Sequence, residues 1–198
     1  SGFEKARIVF VDVGQGDCMH FKTEEGKNYL IDGGGKKDYN VGKEILKPYL
    51  LKIGVKKADG AFVTHMPQDH YKGIAELCRE GMVEKLFIYE GNRSEEKEIV
   101  KETGIRKENI VYLKKGDLIK LGEDTSAEVM WPETAQKHAE DLKNDDENEV
   151  SLILKVNIGE VSFMATGDVN SSCHEELVKA HKDRLSTDIL KVAHHGSK

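Results

Sequence analysis

Ala61-Phe62-Val63-Thr64-His65-Met66-Pro67-Gln68-Asp69-His70 runs from a short apolar strand into a loop that holds two imidazoles and a carboxylate. The next residues carry Ile74, Leu77 and Cys78 at helical spacing until Gly81, which predicts a helix over 69–80. Loops at strand ends are where binding and catalytic groups are positioned. Zinc and manganese take nitrogen and oxygen donors of this kind, at about 2.0 to 2.2 Å for zinc. A plainer reading stays open at this point. Asp69 can act as the N-cap of the helix, and His65 can be a hydrogen-bonded loop histidine.

Working outward, two other strands end in the same way. Tyr29-Leu30-Ile31 runs into Asp32 and then Gly33-Gly34-Gly35, which lets the backbone pass close to something. As a phosphate cradle this run is weak, because neither a P-loop lysine nor a dinucleotide spacing accompanies it. Phe163-Met164-Ala165-Thr166-Gly167 ends in Asp168. The helix downstream already has a capping box in Ser172 and Glu175, so Asp168 is available for another task. A last strand over 188–193 leads into His194 and His195.

The remainder reads as a mixture of antiparallel strands and helices. Strands are expected over 6–13, 17–21, 28–31, 86–89, 109–113, 117–121, 127–131, 150–156 and 161–166. Helices are expected over 41–53, with Pro48 a blemish, over 94–103 with Ser94 as N-cap, and over 172–182. Two sheets flanked by helices fit this order better than a doubly wound parallel sheet, so the fold class is α/β of the α+β type.

The 198 residues, 38% hydrophobic and 33% charged, suit one soluble globular domain over 1–198. Net charge is −6, and most of it sits in 133–149, which has seven acids and two lysines and reads as a surface loop or a lid. The near-neutral body lacks the basic footprint of a protein that grips nucleic acid through phosphates alone. No apolar run reaches the ~20 residues of a membrane span, and the first residues do not read as a signal peptide. Cys18, Cys78 and Cys173 are odd in number and lack CxxC spacing, so they are expected to be buried apolar groups.

Asp12-Val13-Gly14-Gln15-Gly16-Asp17, Leu30-Ile31-Asp32-Gly33-Gly34, Thr64-His65 with Asp69-His70, Asn148 before Ser151-Leu152-Ile153-Leu154, Thr166-Gly167-Asp168, and Leu190-Lys191-Val192 with His194-His195-Gly196-Ser197 follow one another in order. This series resembles the motifs of the metallo-β-lactamase superfamily, and within it the metallo-β-lactamase-like domains of the ComEC family of DNA-uptake channels. The resemblance implies a four-layer αββα sandwich. It implies that His65, Asp69, His70, Asp168 and one of His194 or His195 face a divalent metal, zinc or manganese, with Asp69 and Asp168 positioning the attacking water. Which histidine of the pair is the ligand stays open, since a one-residue register change swaps their faces. Asp32 is implied as a residue that orients the ligand loop.

Two departures from the family pattern matter. Pro67 stands where a second loop donor belongs and Asn148 where many members have histidine, so one ion is expected rather than two. Domains of this kind also continue past the HHGS motif, so truncation after it, with the C-terminal elements missing, is expected. The resemblance implies a metal-dependent hydrolase of phosphodiester bonds, with DNA as substrate. Local lysines such as Lys36, Lys37, Lys72, Lys191 and Lys198 would hold the strand. The setting implied is a larger membrane protein, with this domain on the extracytoplasmic face of a bacterial membrane. Hydrolysis of a small ester, lactone or phosphorylated metabolite, and a metal-poor binding module, are the alternatives. Oligomeric state is not legible.

Overall fold

The computed structural model describes residues 6–132, 151–167 and 186–191. Two compact units, Ser1–Tyr112 and Leu113–Lys198, are considered in turn. In the first, a six-stranded sheet has the order β1 (Arg7–Phe10), β2 (Met19–Lys22), β3 (Asn28–Ile31), β4 (Gly60–Phe62), β5 (Leu86–Tyr89), β6 (Ile110–Leu113). β1, β2 and β3 pair antiparallel, as the meander reading expects, whereas β3–β4 and β4–β5 are parallel. Parallel neighbours need a crossover, and α1 (Lys47–Lys52) and α2 (Gln68–Arg79) supply it.

The central strands are apolar on both faces, which is why they read as unbroken apolar runs. Toward the helices, Leu30, Ala61, Val63, Leu86 and Ile88 join Leu46, Leu50, Ile74, Leu77 and Ile99 in one core cluster. The alternate residues form an aromatic row, with Phe21 stacked on Tyr29 at 5.3 Å and Phe62 on Phe87 at 4.4 Å between ring centroids.

Three local expectations need correction. The helix over 41–53 is not uniform, because Gly42–Leu46 is wound as a π-turn before α1 begins. Pro48 has no N–H to give to the carbonyl four residues earlier, and the chain widens ahead of it so that the Lys47 N–H reaches the Gly42 carbonyl. Ser94 does not cap the third helix. Glu90–Glu95 forms a 3₁₀ turn, and α3 (Glu96–Thr103) starts after Glu95 with no side-chain cap. Asp69 does not cap α2 either, since Pro67 occupies the N-cap and its carbonyl accepts from the N–H groups of His70 and Tyr71, each at 3.1 Å.

In the second unit, β7 (Leu118–Lys120), β8 (Thr125–Trp131), β9 (Ile153–Ile158), β10 (Val161–Ala165) and β11 (Ile189–Lys191) form a five-stranded sheet of order β11-β10-β9-β8-β7. Pairing is antiparallel except between β10 and β11. A bulge between Val129 and Trp131 shifts the β8 register. The parallel edge strand is tied in by Asp188, whose carboxylate accepts from the Ser162 N–H at 2.7 Å and hydroxyl at 3.0 Å. The acidic stretch 133–149 and the helix expected over 172–182 lie outside the described residues.

Candidate metal centre

Asp32 follows β3 and adopts a left-handed φ of 58°, a conformation that aspartate tolerates better than most residues. Its N–H donates to the Phe62 carbonyl at 2.8 Å, which ties it to the end of β4. The carboxylate is buried and accepts three hydrogen bonds: Oδ1 from the Thr64 N–H at 2.7 Å, Oδ2 from the Thr64 hydroxyl at 2.6 Å and from His70 Nδ1 at 2.9 Å. Asp32 therefore ties the end of β3 to Thr64 after β4 and to His70 at the start of α2.

The network assigns both imidazole tautomers by elimination. A carboxylate only accepts, so His70 Nδ1 carries a proton, and in the neutral ring the lone pair is on Nε2. The single hydroxyl proton of Thr64 is directed to Asp32, so toward His65 Nδ1, 3.1 Å away, Thr64 Oγ1 acts as acceptor. His65 is thus also protonated at Nδ1, with its lone pair on Nε2. The two rings lie 3.9 Å apart between centroids, both buried. Asp69 Oδ2 stands 3.7 Å from His70 Nε2, close to the ~3.4 Å edge of a tetrahedron of donors around zinc. Two imidazoles with partners behind them and a carboxylate partly open to solvent are donor types that divalent ions take, but these three side chains do not by themselves form a metal site.

Glycines hold this constellation in place. A Cβ on Gly16 would lie 1.8 Å from the Asp69 carbonyl oxygen, and one on Gly35 would lie 2.0 Å from the Gln68 carbonyl oxygen. On the helix side, a Cβ on Gly73 would lie 2.0 Å from the Gly33 carbonyl oxygen. The Gly33 N–H donates to the His70 carbonyl at 2.8 Å, Gly34 to Asp17 at 2.9 Å and Gly35 to Gln15 at 3.0 Å. The glycine run is therefore no phosphate cradle, because its amides are spent on protein carbonyls. What the backbone passes close to is the first turns of α2.

The remaining sequence candidates Asp168, His194 and His195 lie outside the described residues, as does Asn148. Among the described residues, no group of three or more His, Cys, Asp or Glu side chains is gathered tightly enough to hold a metal on its own. Lys36 and Lys37 are exposed, but Lys72 is engaged by Glu76 and by the Tyr39 carbonyl, which removes it from the lysines expected to hold a strand. Thr64 is the site residue that sequence reasoning passes over. Its signal is a hydroxyl at a strand end, directly before a candidate ligand.

Burial raises the thiol of Cys78 to about 12 and that of Cys18 further still, with Asp32 and Asp17 adding to the shift at Cys18. Neither thiol is a candidate nucleophile. Cys173 lies outside the described residues.

Residues 11–140 match the model of the metallo-β-lactamase superfamily, and the chain belongs to that superfamily. Within it, the chain is similar to two curated proteins over 98% of its own length. ComE operon protein 3 of Bacillus subtilis (strain 168) is 29% identical, and the competence protein ComA of Neisseria gonorrhoeae is 24% identical. The chain spans about a quarter of each, 26% and 24%. Among solved structures, a Cronobacter sakazakii metallo-β-lactamase motif mutant aligns with TM-score 0.61 at 12% identity, covering 92% of this chain and 75% of the other. CmlA, a diiron β-hydroxylase from Streptomyces venezuelae, aligns with TM-score 0.58 at 15% identity, covering 94% of this chain and 34% of the other. At such identities these two establish the fold alone. The mixed α and β fold expected from the sequence is thus found.

Proposed function

We propose that this chain is a metal-dependent phosphodiesterase domain that acts on DNA, within a larger membrane protein serving DNA uptake. The observation that carries the metal reading is the Asp32 network, which sets the tautomer of two neighbouring imidazoles so that both offer Nε2. The DNA reading is supported by the similarity to two competence proteins across 98% of the chain. In this reading residues 1–198 act as one domain, and His65, Asp69, His70, Asp168 and one of His194 or His195 hold a single divalent ion. Bound there, the ion supplies a water whose pKa is lowered toward ~7 and a Lewis acid for the phosphoryl oxygens.

The chain's own residues do the rest. Asp69, partly open to solvent beside His70, would position the attacking water together with Asp168. Asp32 keeps the His70 proton on Nδ1, which prevents the ring from turning its N–H toward the centre. Thr64 does the same for His65.

The test is metal content after dialysis against zinc or manganese, beside an Asp168→Ala, His70→Ala double variant, followed by assays on single- and double-stranded DNA and on ester and lactone substrates. The expected result is near one ion per chain, lost in the variant, with DNA cleavage that depends on it. Loaded protein that hydrolyses esters and leaves DNA intact transfers the assignment to small-ester hydrolysis. Failure to hold metal under either condition removes the hydrolase reading altogether.

A further inference from the structure

The chain carries a net charge of −6 and Lys72 is engaged by Glu76, so a nucleic-acid strand brought to Asp69 needs a grip that does not depend mainly on charge. Stacking of a base on an aromatic ring is such a grip. A cleft of about 430 Å³, lined by Val13, Gly14, Gln15, Lys36, Tyr39 and Ile45, lies beside the candidate metal centre. Its volume is within the range of small-molecule sites.

Each wall of the cleft is one residue from a contact with the Asp69 turn. Gln15 precedes Gly16, whose Cβ would lie 3.0 Å from Asp69 Cβ, and Lys36 follows Gly35, whose Cβ would lie 2.0 Å from the Gln68 carbonyl oxygen. Consecutive Cα atoms are about 3.8 Å apart, which puts the nearest lining residues directly beside that turn. The second wall is itself a tight turn. Lys36 and Tyr39 pair across it as an isolated antiparallel bridge, the Tyr39 N–H donates to the Lys36 carbonyl at 3.3 Å, and Asp38 takes a left-handed φ of 62°. Directly opposed residues present their side chains on one face, so the ammonium and the ring are neighbours.

The backbone of this turn is held while its side chains stay free. Lys72 Nζ donates to the Tyr39 carbonyl, and Asn40 accepts the Lys43 N–H at 2.8 Å through Oδ1 and the Glu44 N–H at 2.9 Å through its carbonyl. Tyr39 is 41% exposed, and among the described residues its ring meets no other ring and its hydroxyl has no hydrogen-bond partner. Lys36 is exposed and has no ion-pair partner among the described residues. Val13, buried, and Ile45, half-buried, give the cleft its apolar lining. The acids nearest along the chain are Asp38 and Asp12, whose Oδ1 accepts the Gly14 N–H at 3.0 Å, so local charge nearly balances and the ring is the dominant feature. A ring on a fixed turn gives up little conformational freedom when a base covers it.

We infer that Tyr39 is the base-stacking residue of the substrate cleft: an unpaired base lies on its ring, Lys36 takes the adjoining phosphate, and the strand passes from there to the candidate metal centre. The inference rests on the phosphodiesterase reading and narrows its substrate to single-stranded DNA. A base inside a duplex has both faces covered by its neighbours and must leave the stack before it can lie on Tyr39. Tyr39 binds and positions the strand, and no bond is made or broken in that step.

The experiment titrates metal-free protein with a short single strand of DNA bearing a fluorescent purine analogue, with the same sequence as a duplex, and with a fully abasic strand, and then follows cleavage of the first two by zinc- or manganese-loaded protein. The expected result is saturable single-strand binding that quenches the analogue, at least about fivefold weaker in Tyr39→Ala and restored in Tyr39→Phe, with unfolding midpoints unchanged. Tyr39→Ala is expected to leave the salt dependence as it was, whereas Lys36→Ala lowers the slope of log affinity against log salt by about 0.7, the share of one phosphate on a single strand. The duplex and the abasic strand are expected to bind wild type and Tyr39→Ala alike. Single-strand affinity that ignores Tyr39→Ala, or a loss shared equally by duplex and abasic strand, overturns the inference and leaves the phosphodiesterase reading in place. Binding with the expected signature but no cleavage keeps the stacking cleft and overturns that reading, and protein that neither binds nor cleaves DNA overturns both.

Discussion

Asp32→Asn is the most informative single change at the candidate metal centre. The variant keeps the shape of the side chain and tolerates the left-handed φ of 58°, so the backbone has no reason to move. It retains one acceptor oxygen in place of two. If that oxygen stays on the Thr64 N–H, the amide NH₂ faces both the Thr64 hydroxyl and His70 Nδ1, which had donated at 2.6 and 2.9 Å. Each lost bond to a charged acceptor is worth about 1.5 to 3 kcal/mol. Relaxation recovers part of this, because the hydroxyl rotates and His70 moves its proton to Nε2. We expect a net loss of about 2 to 3 kcal/mol in urea unfolding of the metal-free protein. The decisive readout is the tautomer. Ring nitrogen shifts of His70 are expected to move from the Nδ1–H to the Nε2–H form, with zinc affinity falling roughly 10- to 100-fold. A variant that keeps the Nδ1–H form and full affinity refutes the claim that Asp32 sets the donor.

Gly16→Ala and Gly35→Ala are expected to destabilise by more than about 2 kcal/mol, because their new Cβ atoms would lie 1.8 and 2.0 Å from backbone oxygens; Gly54→Ala, with open space and a φ of 82°, is expected to cost about 1 kcal/mol, and denaturant midpoints separate the cases. Burial lowers the pKa of His20, which means the unfolded chain binds the extra proton first, so stability is fully present above the ordinary histidine value near 6.5 and declines as pH falls through that value; unfolding at pH 7.5 and 5.5 tests this, and His20→Gln is expected to lessen the decline. Burial holds the Cys18 and Cys78 thiols protonated, so their labelling by a thiol reagent at pH 8 is expected to follow the global unfolding rate, with faster labelling of either one refuting their burial.

The strand-loop-helix unit over 61–80 was legible because hydrophobic periodicity switches there from strand to helix, and because two histidines flank the switch. Asp32 was legible as a carboxylate at the end of an apolar strand. Its two partners were not, because Thr64 and His70 are 32 and 38 residues distant along the chain and meet it only through the parallel pairing of β3 with β4. The N-cap role offered to Asp69 failed for a local reason: Pro67, with its fixed φ and ψ of 152°, had already started the helix one residue earlier. Ser94 failed likewise, since a 3₁₀ turn absorbs it before α3 begins.

The glycine contacts around the first turns of α2 bear on how such a site persists through descent. The closest approaches at Gly16, Gly33, Gly35 and Gly73 are to main-chain atoms, the one material that every substitution leaves unaltered. Core side chains can exchange volume with one another over many generations, while the separation of the 15–17 loop, the 32–35 loop and the Asp69–His70 turn is set by atoms that do not mutate. Lineages that keep these few glycines inherit the spacing of the donors intact, and their outer surfaces are left at liberty to diverge.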